Sequence, residues 1–308
     1  MHALLVLLAV SFLVFFMMYK AGDPVEYLMP PDATQQQVED FRHHLGLDKP
    51  FWAQYGLFLS NAVKGDIGTS YIYNQSALEV VLERLPATIE LATAGMLLAV
   101  LVGIPLGVVA SIYSNHWLGR GIMFFSLTGI SVPTFWIGMV LVLIFAVSLG
   151  ILPSSGRVDA GIMASFLSLE GLKYLILPAL TLSLFQLALI LRLTKNGIME
   201  VLLHDYIKLA RAKGVPETVV VLLHALKNTL IPVVTIIGIQ FGELIAYTIV
   251  TETIFAWPGT GKLIIDSIQN LDRPVVLAYL LTVAVIFVFI NLLVDLIYTF
   301  IDPRVRVH

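Results

Sequence analysis

Between Glu90 and Arg120 the chain reads LATAGMLLAVLVGIPLGVVASIYSNHWLG, Leu91 to Gly119, without one Asp, Glu, Lys or Arg. A helix that crosses the ~30 Å hydrocarbon core of a bilayer needs about 20 mostly apolar residues. This run exceeds that length. Outward from it lie further runs: Ala3–Tyr19, Gly121–Gly156, Tyr174–Leu191, Asn228–Gly261 and Pro274–Val294. Gly121–Gly156 is too long for one crossing, so its end is expected to form a loop at Leu152-Pro153-Ser154-Ser155-Gly156. Asn228–Gly261 is interrupted only by Glu243 and Glu252. Backbone polar groups in lipid must be satisfied inside the chain, and the alternating pattern of barrel strands is missing. The reading is an all-α membrane protein with six transmembrane helices.

Composition agrees. Of 308 residues, 58% are hydrophobic and 13% charged, against about 25% charged in soluble domains. So few charges cannot cover a soluble globule, which excludes an ordinary cytosolic enzyme and a disordered chain. A net charge of −3 gives no reason to expect a nucleic-acid partner. There is no cysteine, so disulfides, thiolate metal sites and a cysteine nucleophile are excluded together.

Orientation follows the Lys/Arg bias of short loops. With the N-terminus inside, the inner segments hold Arg120, Arg192, Lys195, Lys208, Arg211, Lys213, Lys227, Arg304 and Arg306. The short outer loops hold Arg157, Lys173, Lys262 and Arg273. Both termini are therefore expected in the cytoplasm. The first run lacks a basic leader region and an A-x-A site, so it reads as an uncleaved span. The chain divides into the first helix (1–19), an outer segment (20–85) and a five-helix core (86–308). The outer segment, with Pro30-Pro31, a polar helical stretch Thr34–His44 and turns at Gly46, Pro50, Gly65 and Gly68, is expected to be a cap of short helices. Inside, the loop 195–228 carries Gly214-Val215-Pro216, which stops one helix and starts another at Pro216.

Enzyme signatures are missing: no H-E-x-x-H, no EF-hand loop, no serine elbow. His43-His44 reads as a solvated helix face. Gly259-Thr260-Gly261-Lys262 resembles the tail of a P-loop but has Ala256 and Leu263 at its defining positions, so it reads as a turn. No metal site and no cofactor are expected on this chain. Of the carboxylates near spans, Glu90, Glu252 and Asp295 bound their runs and read as interfacial. Glu243 lies well inside the fifth run, where a carboxylate costs ~2.5–3.5 kcal/mol on insertion scales, so it is expected in a cavity or a helix contact. Glu252 is the second carboxylate of that run and stays a candidate for the pathway or for packing. Gly103, Pro105, Gly107, Gly129, Pro133 and Gly138 predict close helix packing and kinks.

The inner loop Asp205-Tyr206-Ile207-Lys208-Leu209-Ala210-Arg211-Ala212-Lys213-Gly214, followed by His224-Ala225-Leu226-Lys227-Asn228 and Ile231-Pro232, resembles the cytoplasmic loop of permease subunits in binding-protein-dependent ABC importers. The dipeptide/oligopeptide branch, B-type subunit, is the nearest likeness. Further markers occur in order: Gly22-Asp23-Pro24, Leu45-Gly46-Leu47-Asp48, Gly65-Asp66-Ile67-Gly68-Thr69-Ser70, Pro86-Ala87-Thr88-Ile89-Glu90-Leu91, Ser131-Val132-Pro133-Thr134-Phe135-Trp136, Trp257-Pro258-Gly259 and Asp302-Pro303-Arg304. The likeness covers essentially the whole length. It departs from the general importer loop at Lys208-Leu209 and Leu226-Lys227, where the peptide branch agrees. It also departs before the first span, where relatives usually carry basic residues.

The resemblance implies a type I importer permease fold. It implies pairing with a second, homologous permease, two ATPase subunits that hold ATP and Mg, and a periplasmic or lipid-anchored binding protein. The chain would sit in the inner membrane as half of a pathway for di- or oligopeptides. Loop 195–228 would supply the coupling helix, with Ala210, Ala212 and Gly214 allowing close approach and Arg211 and Lys213 meeting acidic groups of the ATPase. Glutathione, a nickel complex or another small solute is the alternative cargo, and a secondary transporter the more distant reading.

Overall fold

The computed structural model describes residues 2–20, 25, 29–30, 33–44, 46–158 and 164–301. Gly22-Asp23-Pro24, Pro31, Leu45, Met163, Asp302-Pro303-Arg304, Arg306 and the side chain of Asp295 lie outside the described residues. Among these residues the structure is helical, with a single isolated bridge between Thr69 and Ser76. The chain divides into two compact units: Met1–Pro86 with Pro258–Val288, and Ala87–Trp257 with Phe289–His308.

In the first unit, α1 (His2–Lys20) lays an aromatic face against α3 (Phe51–Ala62). Phe12 meets Phe51 and Tyr55 edge-on at centroid distances of 5.9 and 5.5 Å, and Phe15 meets Phe58 at 5.2 Å. Ser11 and Tyr55 share a hydrogen bond of 3.1 Å. Within the segment expected as a cap of short helices, α3 is an apolar helix lying along α1. The polar helix α2 (Gln35–His44) forms as the sequence predicts. It starts with a capping box, in which Thr34 N donates to Gln37 Oε1 at 2.9 Å and Gln37 N to Thr34 Oγ1 at 3.4 Å. His43 and His44 are exposed.

The Gly65–Ser70 motif is a turn with a buried anchor. Gly65 and Gly68 take φ of +84° and +107°, and Asp66 Oδ1 accepts from Gly68 N at 2.9 Å. Ser70 then donates to Asp272, which is fully buried and also accepts from Tyr71 N at 3.2 Å. Gly259 caps α12 (Thr260–Gln269), so the P-loop-like residues open a helix, with Lys262 paired to Asp266.

In the second unit the spans form where charges are missing, but their ends are set by turn chemistry. Helix α4 (Ala77–Ile112) begins well before Leu91 and stops short of Gly119. The uncharged run crosses a turn at 113–116, where His116 Nδ1 accepts from Leu118 N and caps α5 (Trp117–Ser131). The third run breaks at Val132-Pro133. The residue before a proline is pushed out of the helical region, and Val132 sits at φ −93°, ψ 131°. The chain then resumes as α6 (Thr134–Leu141) and a π-helical stretch (Val142–Ser148), turned by 103° from α5. The expected loop at Leu152–Gly156 follows.

After the short α7 (Ala164–Leu167), α8 (Leu169–Val201) is capped by Ser168 Oγ, which accepts from Gly171 N at 2.9 Å. α9 (Asp205–Ala212) and α10 (Glu217–Val219) form the inner loop. A π-helical stretch (Val220–Ala225) runs from α10 into α11 (Leu226–Ile254). That span ends at Ile254, short of the expected Gly261, because Ala256 turns the chain with φ +45°. The last helix, α13, spans Arg273–Ile301. Among the described residues, four helices are long and apolar enough to cross a membrane (Ala77–Ile112, Leu169–Val201, Glu217–Ile254 and Arg273–Val294). The bent α5/α6 pair adds a broken span, and Leu5–Lys20 is a shorter apolar helix.

Helix α8 is the centre of this unit, with 61% of its most apolar window buried. Small residues on α4 let it approach: Gly95 faces Leu182, Gly103 faces the Leu187 carbonyl and Ile190, and Gly107 faces Thr194 and the Leu191 carbonyl. Ala99 is buried in the same four-residue stripe. This is small-residue packing of membrane helices, in which van der Waals contact replaces the hydrophobic drive that lipid removes. Gln240 Nε2 donates to Gln186 Oε1 at 3.2 Å, a polar tie between α11 and α8.

A Cβ on Gly107 would stand 2.7 Å from Thr194 Cβ and 2.8 Å from the Leu191 carbonyl oxygen, so backbone must move. Gly107→Ala is expected to destabilise by about 1–3 kcal/mol, read as a lower unfolding temperature in detergent. Gly121→Ala, in α5 with nothing within 4 Å of its Cβ, should not lower that temperature and should raise it slightly, since alanine favours the helix by about 1 kcal/mol over glycine.

Candidate functional site

The inner loop is built by local rules. Asp205 opens α9, where a carboxylate opposes the positive end of the helix dipole, and Lys208 pairs with it at 2.8 Å. A Schellman motif closes the helix: Val215 N donates to the Ala210 carbonyl at 3.2 Å and Gly214 N to the Arg211 carbonyl at 2.9 Å. Gly214 holds φ +79°, with open space where a Cβ would go, so backbone conformation and not crowding demands glycine here. Pro216 caps α10. The predicted break therefore stands where the sequence put it.

Three of the predicted residues meet. Asn228 Nδ2 donates to Tyr206 Oη at 2.9 Å and to the His224 carbonyl at 2.8 Å, tying α9 to the start of α11. Ile207 is fully buried, while Leu203, Tyr206 and Leu209 are 75%, 46% and 57% exposed. The base beneath is apolar: Val108, Ile198, Val221 and Ala225 form a buried cluster that joins α4, α8 and the π-helical stretch. Ala210 is half-buried; Ala212 and Lys213 are exposed.

Arg211 departs from expectation. Its Nε and Nη2 both donate to Glu217, across the Gly214 break, so its partner lies within the chain. These hydrogen bonds hold the Glu217 carboxyl below the usual carboxylate range and raise the Arg211 guanidinium further. The pair is exposed and adds little stability; it links the two segments across the break.

A second polar cluster lies about 30 Å along α4 from Val108, at 1.5 Å per residue. Thr88 Oγ1 donates to Glu252 Oε1 at 2.7 Å. Arg157 meets Glu90 through Nη2 at 2.6 Å and Nε at 2.8 Å, and Ser165 N donates to the other Glu90 oxygen at 2.6 Å. Trp257 Nε1 donates to the Ala87 carbonyl at 2.8 Å, and the Arg157 guanidinium stands 5.8 Å from the Trp257 ring centroid. Glu90, Glu252 and Trp257 are fully buried. Glu90 and Glu252 are therefore not solvated at their span ends: each carboxylate has its own buried donors. Glu243 behaves oppositely. It is exposed on α11, on one face with Ala246, Tyr247 and Val250, and is not packed within the chain.

The family model "Binding-protein-dependent transport system inner membrane component" matches residues 103–307, and the model "Binding-prot-dependent transport system membrane comp, N-term" matches residues 1–92. The chain belongs to this family of transport-system membrane components. The dipeptide transport system permease protein DppB of Alkalihalophilus pseudofirmus is 40% identical over 301 residues, covering 92% of this chain and 90% of the relative. The di/tripeptide permease DppB of Pseudomonas aeruginosa is 41% identical over 302 residues, with 92% and 90% covered. The glutathione permease GsiC of Escherichia coli K12 is 40% identical over 301 residues, with 97% and 94% covered. Among solved structures, a chain of the inward-facing MetNI methionine ABC transporter shares the fold. Its TM-score is 0.57 at 16% identity, over 72% of this chain and 96% of that one.

In this family member two sets of the residues that carried the sequence likeness gather into the two clusters. Pro86–Leu91 and Glu252–Trp257 form one; Asp205–Gly214 and His224–Asn228 form the other. Sequence reasoning missed Arg157 and Ser165. The signal available was a lone arginine just beyond a loop after a long uncharged run, and a glutamate in want of a counter-charge. Removing one partner of a buried ion pair costs about 3–5 kcal/mol, whereas replacing both with apolar residues is often near neutral. Glu90→Ala or Arg157→Ala alone should therefore sharply lower the unfolding temperature in detergent. The double variant Glu90→Met, Arg157→Met should recover most of that loss.

Proposed function

We propose that the chain is a permease subunit of an ATP-driven importer that carries di- or oligopeptides across the inner membrane. It forms half of the pathway with a second, homologous permease. Two ATPase subunits holding ATP and Mg dock on loop 195–228, and a periplasmic or lipid-anchored binding protein delivers cargo from the other side. Six spans are read: α1, α4, the broken α5/α6 pair, α8, α11 and α13, with both termini in the cytoplasm and residues 20–85 outside.

One observation carries the coupling part. Helix α9 offers Tyr206 and Leu209, and the turn before it Leu203, to their surroundings while Tyr206 is pinned to Asn228 at the start of a span. Exposed apolar side chains of that kind mark a docking surface, and the pin makes α9 and α11 move together. Nucleotide-driven movement of the ATPases then tilts α11, provided that the nucleotide state favours the two conformations unequally. Glu243 lies on the exposed face of α11, and a carboxylate in a span belongs beside a water-filled cavity or a partner rather than lipid. We read that face as lining the pathway.

The peptide cargo rests on the relatives named for dipeptides and for di- and tripeptides. The glutathione permease, equally similar, favours a second reading in which glutathione is carried; it too is a short peptide-like acid.

The full complex in proteoliposomes, supplied with binding protein and radiolabelled dipeptide, should show uptake only with ATP inside the compartment that holds the ATPases. Leu209→Asp should cut ATP-dependent uptake at least about tenfold while membrane insertion persists, since it places a charge in an apolar contact. Uptake by the permease chains alone would identify a secondary transporter and end this reading. Competition by glutathione stronger than by dipeptides would select the second cargo.

A further inference from the structure

One apolar groove remains outside the site described so far. It is a cavity of about 390 Å³ between the last turns of α4, helix α5 and helix α8, lined by Trp117, Gly121, Phe125, Gly129, Leu187 and Leu191 among others. Ser126 also lines it, but its hydroxyl donates to the Met123 carbonyl at 2.8 Å, so the floor offers no free polar group. Glycine keeps it open: a Cβ at Gly121 meets nothing within 4 Å. On α5 the lining runs from Trp117 to Gly129, about 18 Å at 1.5 Å per residue, close to the depth of one leaflet of a ~30 Å core.

The cations at one end decide the occupant. Lys195 continues the α8 lining stripe one turn beyond Leu191. Arg192 lies beside it, and Arg120 lies in the first turn of α5. Arg120 and Arg192 are exposed, and none of the three makes an ion pair or side-chain hydrogen bond among the described residues. This end is also the end of the inner loop, because α4 and α8 meet the π-helical stretch there through Val108, Ile198 and Val221. Trp117 sits at the same level, at the depth where aromatic side chains favour the interface. An apolar slot one leaflet deep, with unpaired cations at its mouth, matches an acyl chain below a phosphate.

We propose that this groove binds an anionic phospholipid of the leaflet on the inner-loop side. One acyl chain lies between α5 and α8, and the headgroup phosphate meets Lys195 and Arg192, with Arg120 adding positive potential. Basic pockets between spans on the cytoplasmic side take up such headgroups. The binding depends on the membrane location, not on the cargo or on which solute moves.

The test uses the assembled complex in nanodiscs and reads Trp117. Its contribution is the fluorescence difference between the native chain and Trp117→Phe. Brominated phosphatidylglycerol should quench this signal at a roughly 25-fold lower mole fraction than brominated phosphatidylcholine, about fivefold for each of the two engaged cations. Lys195→Gln should shrink that preference about fivefold, and adding Arg192→Gln should abolish it. Gly121→Leu, which fills the slot, should weaken quenching by both lipids. Equal quenching by the two lipids in the native chain, or a preference untouched by Lys195→Gln with Arg192→Gln, overturns the proposal. So does a signal that neither lipid reaches, which would assign the groove to a protein partner. Peptide uptake in the same preparation reports the transport reading separately.

Discussion

The contact on which the second unit rests is the close approach of α4 to α8. In lipid, apolar side chains gain nothing by leaving their surroundings for one another, so helices associate through packing and hydrogen bonds. Gly95, Ala99, Gly103 and Gly107 let α4 come near enough for Leu182, Ile190 and Thr194 to fill the space that side chains would otherwise take. With that axis fixed, α11 is held to α8 by Gln240 on Gln186 and by the meeting of Thr229 with Gly197, where a Cβ would lie 2.5 Å from the threonine methyl. Glycines in helix interiors are normally costly. Here they sit at the contacts that define the bundle, which is why they persist in spans where leucine is the better helix former.

The two ends of this axis are built differently. At one end the carboxylates are buried and engaged: Glu90 takes three donors, Glu252 takes Thr88, and Trp257 closes over Arg157. A low-dielectric network of this kind permits few alternatives, because any rearrangement strands a charge. At the other end the joints are soft. Two of its elements are a glycine-closed helix terminus and a π-helical stretch, and its ion pairs, Asp205 with Lys208 and Arg211 with Glu217, are exposed to water. On the proposed function, a buried network at one end and water-exposed joints at the other suit a subunit moved by its neighbours.

Much of this was legible in the sequence, and the exceptions have physical causes. The break at Gly214-Val215-Pro216 was readable because a Schellman terminus and a proline cap are decided within a few residues. The spans were readable as uncharged runs, but their ends were not. Tyr113 to His116 carry no charge and still turn the chain. The first turns of α4 carry Glu79, Glu83 and Arg84 and are nonetheless helix, since a helix can continue past the bilayer into water. Pro133 was expected to kink a span; its effect on Val132 breaks the span by 103°. Glu90 looked interfacial because its partner Arg157 lies far along the chain, and a charge bounding a run looks the same whether water or an arginine neutralises it. Arg211 was assigned to an external partner because nothing in its position distinguishes a neighbour six residues on from one on another protein.

Glu243 and Glu252 show how the two kinds of information combine. They occupy one helix, and composition alone would treat them alike. Glu252 is sealed against Thr88 and belongs to the fixed end. Glu243 stands exposed with Tyr247, which is 69% exposed, and Val250. A bare carboxylate within a span cannot be left against acyl chains without a cost of several kcal/mol. That face of α11 must therefore adjoin water or protein, whereas the groove between α5 and α8, without a carboxylate and edged by cations, can adjoin lipid. On the proposed reading, the charges that interrupt an otherwise apolar chain sort its surfaces into those that face the bilayer and those that face the pathway.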